Sequence, residues 1–171
     1  MKKLLLLTAV AGLFAFSSVN AQTKTPKLSI GAEFAFPMGT FGDFNNLGYG
    51  GSLQYQHPVA PSLLVTGSAG YTVFKAKDEF GGATSGAIPV KAGARYYFGE
   101  NFFAGAELGA AFSTESGEGN STAFVYAPGI GIDYPVSDKG SIELGARYEG
   151  WSANSNTNGF IGLRLAYNFG L

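Results

Sequence analysis

Charged residues recur at every second position of several short segments, with acids and bases mixed. Carboxylates near cationic groups can transfer protons, line an ion passage, or neutralise one another as ion pairs. Their near balance of five acids and four bases favours pairing, because a buried charge without a partner is strongly unfavourable. The residues concerned are Glu33, Lys91, Arg95, Glu107, Asp133, Glu143, Arg147, Glu149 and Arg164.

The charged positions lie in segments where apolar and polar residues alternate, which is the period-2 pattern of strands with two different faces. Eight such segments are predicted, each long enough to cross a bilayer as a tilted strand of about 9 to 11 residues. They cover residues 27–36, 49–57, 63–74, 87–98, 102–113, 122–136, 141–151 and 159–171.

Long and short connections alternate along the chain. The longer ones, rich in Gly, Ser and Asn, are residues 37–48, 75–86, 114–121 and 152–158, and the tight turns contain "PVAPS", "GEN" and "SDKG". This asymmetry is typical of outer-membrane barrels, which have short periplasmic turns and longer external loops. The prediction is therefore an all-β fold, an eight-stranded antiparallel up-and-down transmembrane β-barrel with both termini in the periplasm.

The two faces of the predicted strands indicate what each side meets. The residues that alternate with the charged ones are apolar, and none of them is charged. This face is expected to meet lipid, since a charged side chain at the middle of the bilayer destabilises a barrel by about 2 to 4 kcal/mol. A soluble barrel with a polar exterior is the alternative. On the charged face, many of the 26 glycines leave room for long side chains in a narrow interior.

Aromatic residues of the apolar parity cluster near the strand ends, which predicts belts at the two membrane interfaces. One predicted belt, near the tight turns, includes Tyr55, Tyr96, Phe98 and Tyr134. The other, near the longer loops, includes Tyr71, Phe112, Tyr126 and Tyr148.

Which lumen charges pair depends on the strand register, but hairpin geometry predicts which of them lie at similar depth. Arg95 and Glu107 are expected at similar depth on adjacent strands, as are Arg147 and Arg164, with Glu143 separating the latter two cations. We therefore predict a central network of these five residues. It either fills and fixes the barrel or forms a narrow porin-like channel for ions or small solutes, and the sequence leaves both interpretations open.

Other chemistry finds little support. Acyl transfer on lipid A needs a histidine-centred site, and the one histidine, His57, precedes Pro58 at a turn on the opposite side. An acid/base carboxylate pair is not excluded by composition, but cationic neighbours favour structural partners. We therefore predict no catalytic residue and no enzymatic activity. Because the sequence has no Cys, no cluster of His and a net charge of −1, we also predict no metal, cofactor or nucleic-acid partner.

The N-terminus is typical of a secretory signal peptide. Lys2 and Lys3 precede an apolar stretch at residues 4–16, and Val-Asn-Ala ends at Ala21. That stretch is shorter than the ~20 residues of a spanning helix, which argues against the alternative of an uncleaved anchor. The predicted domains are a signal peptide at residues 1–21 and a single barrel domain at residues 22–171.

Four stretches, "LGYGGSLQYQ", "VTGSAGYTVF", "PVKAGARYYFG" and "LRLAYNFGL", resemble the outer-membrane β-barrel domain family, the OmpA/OmpX-like small barrels called "porin family" in Gram-negative bacteria. The resemblance implies the outer membrane as location, membrane lipid as partner and a structural or surface-interaction role, and we expect a monomer. It also implies that the barrel assembly machinery recognises the last strand. Tyr167 and Phe169 match that signal, although the chain ends in Gly170 and Leu171.

Overall fold

The computed structural model describes residues 25–114 and 122–171. The predicted signal peptide at residues 1–21, with cleavage after Ala21, lies outside the described residues. So does most of the predicted loop at residues 114–121.

Eight strands form one antiparallel sheet in which each strand pairs with its sequence neighbours. A short helix, α1 (Gly39–Phe44), connects the first two strands, and a single 3-10 turn (Asp78–Phe80) lies between the third and fourth. The strands are β1 (Lys27–Met38), β2 (Asn45–Ala60), β3 (Leu63–Ala76), β4 (Thr84–Tyr97), β5 (Phe102–Ser113), β6 (Thr122–Ser137), β7 (Gly140–Ala153) and β8 (Asn156–Gly170).

The sheet closes on itself where β8 pairs with β1. Their register runs without a break from Lys27 opposite Gly170 to Met38 opposite Gly159. Because closure pairs the backbone of both terminal strands, no sheet edge is left to hydrogen-bond with water. The predicted eight-stranded antiparallel up-and-down barrel is confirmed.

The strands extend further toward the loop end than the sequence predicts. β2 begins at Asn45 instead of residue 49, β4 at Thr84 instead of 87, and β8 at Asn156 instead of 159. The predicted loop at residues 152–158 is thereby reduced to a turn at Asn154 and Ser155, whose φ angles of 48° and 66° suit a tight hairpin. Polar composition indicated a loop here, but polar residues can still pair in a strand where the rim of the barrel is hydrated.

Alternation along each strand sorts side chains between the interior and the exterior. In β4, Ala87, Lys91 and Arg95 are buried, whereas Ile88 and Val90 are 42% and 46% exposed. Large apolar side chains are exposed on all eight strands. The exterior is therefore the face that suits lipid. Among the described residues, no helix is long and apolar enough to cross a bilayer.

A cation placed at mid-height on this exterior should destabilise the barrel. Leu53 lies near the middle of β2, opposite Ile30 and Ala69, and is 53% exposed. We expect Leu53→Arg to lower the free energy of unfolding by about 2 to 4 kcal/mol, because the guanidinium would lie in hydrocarbon. Urea unfolding of the protein in phosphatidylcholine vesicles measures this.

The matched control is Val59→Arg, on the same strand and face but beside the turn, where the side chain is 54% exposed. A charge at the interface costs only about 0 to 1 kcal/mol. Equal effects of the two substitutions would contradict a lipid-facing exterior.

Candidate functional site

The interior of the barrel contains a continuous series of ion pairs. Arg95 donates to both carboxylate oxygens of Glu143, at 2.6 and 3.0 Å. Glu143 also accepts from Nη1 of Arg164 at 2.8 Å. Nε of Arg164 lies 3.3 Å from Oε1 of Glu33. Two acids therefore alternate with two cations in this part of the lumen.

The series continues from Glu33 toward β4 and β5. Nη1 of Arg147 donates to Glu33 at 2.7 Å, and its Nε donates to Glu149 at 2.6 Å. Nζ of Lys91 donates to the same oxygen of Glu149 at 2.9 Å and lies 3.7 Å from Glu107. We call the eight residues the lumen ion-pair chain; in order they are Arg95, Glu143, Arg164, Glu33, Arg147, Glu149, Lys91 and Glu107.

Neutral side chains complete the hydrogen bonding of these carboxylates. Glu107 accepts from Gln54 at 2.9 Å and from Thr66 at 3.1 Å. Glu33 accepts from Ser52 at 2.5 Å, and Glu143 accepts from Asn168 at 3.3 Å. A carboxylate has about four acceptor sites, so these donors supply contacts that water would make outside the barrel.

A separate ion pair lies nearer the turn end. Lys27 donates to Asp133 at 2.7 Å, and the carboxylate also accepts from Tyr97 at 3.2 Å and Asn168 at 2.9 Å. The sequence analysis missed Lys27, although it has the same parity as Glu33 on β1. With Lys27 included, the interior charges of the described residues are five cations and five anions.

The five residues of the predicted central network all lie in the lumen ion-pair chain, where Glu33, Glu149 and Lys91 link them. Glu107 lies near Lys91 and accepts from Gln54, whereas Arg95 pairs with Glu143. Glu143 joins Arg95 to Arg164, and it is Glu33 that lies between Arg147 and Arg164.

Glycines on the adjacent strands explain why these charged side chains pair across the lumen. The strand neighbour opposite Arg95 is Gly105, opposite Glu107 it is Gly93, and opposite Arg147 it is Gly162. A side chain on Gly93 would collide with the backbone of Glu107, whose Cα would be 2.7 Å away. Long side chains therefore extend over the glycines and across the lumen, toward strands that are distant in the sheet.

Apolar side chains occupy the lumen at the turn end. Leu64, Tyr97 and Phe103 form a buried group, which we call the turn-end cluster. The guanidinium carbon of Arg95 lies 4.4 Å from the centre of the Phe103 ring, a cation–π contact that links the cluster to the ion-pair chain.

A larger aromatic group, the loop-end cluster, occupies the opposite end. It consists of Phe41, Phe74, Trp151 and Phe160, packed with Ala35. The ring centre of Phe74 lies 5.1 Å from that of Phe41, 5.6 Å from that of Trp151 and 5.3 Å from that of Phe160, and all three contacts are edge-to-face. Nε1 of Trp151 donates to Glu149 at 2.8 Å, so this cluster is also joined to the ion-pair chain.

Little space is left in the lumen beside the ion-pair chain. A cavity of about 60 Å³ is lined by residues of the ion-pair chain together with Gln54, Ser52 and several glycines and alanines. At about 15 Å³ for each water, it has room for about four water molecules.

The structure places the predicted belt residues on the outside of the barrel. Tyr96 and Tyr126 are half-buried, and the others are exposed; Tyr126 and Tyr148 are ring neighbours with centres 6.0 Å apart. Exposed belt residues are Tyr55, Phe98 and Tyr134 toward the turn end and Tyr71, Phe112 and Tyr148 toward the loop end.

The two residues of the predicted assembly signal lie side by side on the outer face of β8. Tyr167 and Phe169 are 37% and 44% exposed, and their ring centres are 4.7 Å apart. In the register of β8 they stand opposite Ile30 and Leu28 of β1, so they also border the closing seam of the barrel.

His57 lies outside the lumen. It is exposed near the turn end of β2, with Nδ1 at 3.2 Å from the hydroxyl of Tyr55. Within residues 25–114 and 122–171, no group of three or more His, Cys, Asp or Glu side chains is arranged to hold a metal ion.

Comparison with known proteins bears on the fold. No family model matches this sequence, and no curated protein matches it. Solved structures do match, each at probability 1.00.

Three of them illustrate the likeness. Ail, the attachment invasion locus protein of Yersinia pestis, is 20% identical, with 86% of this chain and 100% of that chain covered and a TM-score of 0.59. Neisserial surface protein A is 14% identical over 85% of this chain and 97% of its own, with a TM-score of 0.60. The outer membrane protein OprG from Pseudomonas aeruginosa is 12% identical over 90% and 99%, with a TM-score of 0.58.

These matches span nearly the full length of the barrels concerned. The chain therefore has the fold of the small outer-membrane barrels, and the predicted resemblance is confirmed at that level. An outer-membrane location agrees with this fold and with the apolar exterior of the closed sheet.

Removing one charge from the ion-pair chain should destabilise the barrel strongly. Glu143→Gln keeps the shape of the side chain but leaves Arg95 and Arg164 without their shared carboxylate. Because two cations would then lie close together in a buried site, we expect a loss of about 3 to 5 kcal/mol in the free energy of unfolding. Urea unfolding in phosphatidylcholine vesicles, followed by Trp151 fluorescence, gives this value.

The exposed pair of Lys75 and Asp78, 3.4 Å apart, provides the control. Asp78→Asn should change the free energy by less than about 1 kcal/mol, because water screens the pair. If Glu143→Gln were as mild as this control, the lumen ion pairs would not contribute to stability as described.

Proposed function

We propose that the protein is an integral outer-membrane barrel with a charge-plugged lumen, which has a structural or surface-interaction role. The observation that carries this proposal is the lumen ion-pair chain, held between the turn-end and loop-end clusters. Its four cations and four anions sum to zero charge. The ion-pair chain therefore has no excess charge to attract a permeating ion.

A closed lumen follows from the energetics of these contacts. An ion entering the lumen would have to break pairs at 2.6 to 2.9 Å and separate aromatic rings at the loop end. Breaking a buried ion pair without replacing the partner costs about 3 to 5 kcal/mol, and the pairs share members. The interior then serves to fix the shape of the barrel, and interactions are left to its outer surface.

The proposed orientation places the loop end outside the cell. The turn-end connections between strands are short, at residues 61–62, 98–101 and 138–139, and α1 and the segment of residues 77–83 lie at the other end. Short turns toward the periplasm and longer loops outside are usual for bacterial barrels. A surface role would therefore use α1 and the neighbouring loops.

Membrane lipid is the proposed partner of the exterior. The belt residues supply rings at both ends of the apolar band, where aromatic side chains suit the headgroup region. Since the closed sheet has no free edge and its outer face suits lipid all round, we propose a monomer. We also propose that Tyr167 and Phe169 form the signal that the barrel assembly machinery recognises.

A non-enzymatic role is supported by the position of the reactive groups. His57 contacts Tyr55 on the exterior, on the opposite face of β2 from Gln56, which reaches the lumen acid Glu143. Glu33, Glu143, Glu149 and Asp133 each accept a hydrogen bond from a cation. Glu107 lies 3.7 Å from Nζ of Lys91, so every lumen carboxylate of the described residues has a cationic structural partner.

A narrow channel is the second candidate, and the cavity beside the ion-pair chain is the observation that favours it. Four of the five lumen cations, Lys91, Arg95, Arg147 and Arg164, line that cavity. A rearrangement of these side chains would join it to the two ends, and the same residues would then set ion selectivity.

Current recorded across a planar bilayer separates the two candidates. With the protein purified from membranes and shown to be folded by its heat-dependent gel mobility, we expect no discrete conductance steps, because the plugged lumen excludes ions. Discrete steps that change in Arg147→Ala but persist unchanged in Lys75→Ala would contradict the plug and establish the channel. Lys75 is the matched control because it is an exposed cation at the loop end of β3.

A further inference from the structure

The loop end of the lumen opens into a second cavity, of about 200 Å³, which we call the vestibule. The rings of Phe41, Phe74 and Trp151 form its apolar floor, and Ser85, Asn156 and Asn158 contribute polar groups to its rim. Glycine and alanine supply most of the remaining wall. The proposed function does not use this space.

Strand periodicity explains why the vestibule is there. Asn156 and Asn158 have the same parity as the buried Phe160 on β8, and Ser85 has that of the buried Ala87 on β4. The inward positions therefore change from large and apolar to small and polar above the loop-end cluster. Among the described residues, this change leaves a space above the aromatic floor.

The lining defines the chemistry of a ligand. Among the described residues that line the vestibule, none is charged, so a charged ligand would lose hydration without gaining a partner. The hydroxyl and carboxamide groups can both donate and accept hydrogen bonds. A ligand should accordingly be neutral and carry hydroxyl groups.

The floor adds a requirement for an apolar surface. Nε1 of Trp151 is bonded to Glu149 at 2.8 Å, and the neighbouring rings have no polar atoms. The floor can thus offer only apolar contact, while the polar groups lie at the rim. Small-molecule sites typically combine an apolar lining with a few such polar groups.

We propose that the vestibule binds a neutral sugar. A pyranose ring has C–H groups that can rest on aromatic rings and hydroxyl groups around its edge that can meet Ser85, Asn156 and Asn158. This inference goes beyond the proposed function, since a closed lumen below is compatible with an occupied or an unoccupied mouth.

The single tryptophan of the chain provides the measurement, because Trp151 lies in the floor. The protein in phosphatidylcholine vesicles would be titrated with methyl β-D-glucoside, methyl β-D-galactoside and methyl β-N-acetylglucosaminide, with glucuronate as the charged comparison and sorbitol as the osmotic control. We expect a saturable change in Trp151 emission with at least one neutral glycoside and none with glucuronate or sorbitol.

Two matched variants locate the binding. Asn158→Ala removes a rim carboxamide and should weaken binding about tenfold, the effect of losing one hydrogen bond. Asn46→Ala makes the same change at an exposed residue at the loop end of β2 that does not line the vestibule, and it should leave the affinity unchanged.

Saturation-transfer NMR on each glycoside repeats the test without relying on tryptophan emission. Absence of binding by both methods, in protein that keeps its heat-dependent gel mobility, would overturn the inference. So would equal affinity for glucuronate, or an affinity that Asn158→Ala does not alter. Because none of these readouts measures conductance, the sugar inference and the closed lumen can fail independently.

Discussion

Charge neutrality inside a space too narrow for bulk water is the constraint on which this structure depends. Ten charged side chains of the described residues face the lumen, and each lies within 3.7 Å of an opposite charge. A buried charge is tolerated only with such partners. The equal numbers of acids and bases in the interior follow from meeting this requirement.

Glycine and apolar rings make the arrangement possible. Glycines opposite Arg95, Glu107 and Arg147 let these side chains cross the lumen, where they join strands that are far apart in the sheet. At the ends, Phe103 contacts Arg95, and Trp151 is bonded to Glu149. The charged middle and the aromatic ends thus form one connected interior, and the attraction within each ion pair is stronger there than in bulk water.

The alternation of apolar and polar residues was sufficient to predict the strands and their two faces, because each segment shows this period of two. The number of strands, their antiparallel order and the inward position of Arg164 needed nothing more. The ion-pair partners did not follow, because they depend on contacts across the lumen: Arg95 reaches Glu143 from three strands away. Lys27 and Trp151 had the correct parity but stood at strand ends, where the composition indicated turns, loops and belts.

The central claim is that the members of the ion-pair chain stabilise the barrel by acting together. A double-mutant cycle on Lys91 and Glu149, whose charged atoms lie 2.9 Å apart, tests it most directly through urea unfolding of Lys91→Met, Glu149→Gln and the double variant in vesicles. The account predicts that the double variant loses less stability than the two single variants combined, by at least about 1.5 kcal/mol. Additive losses would contradict the claim, since they would mean that each residue acts without the other.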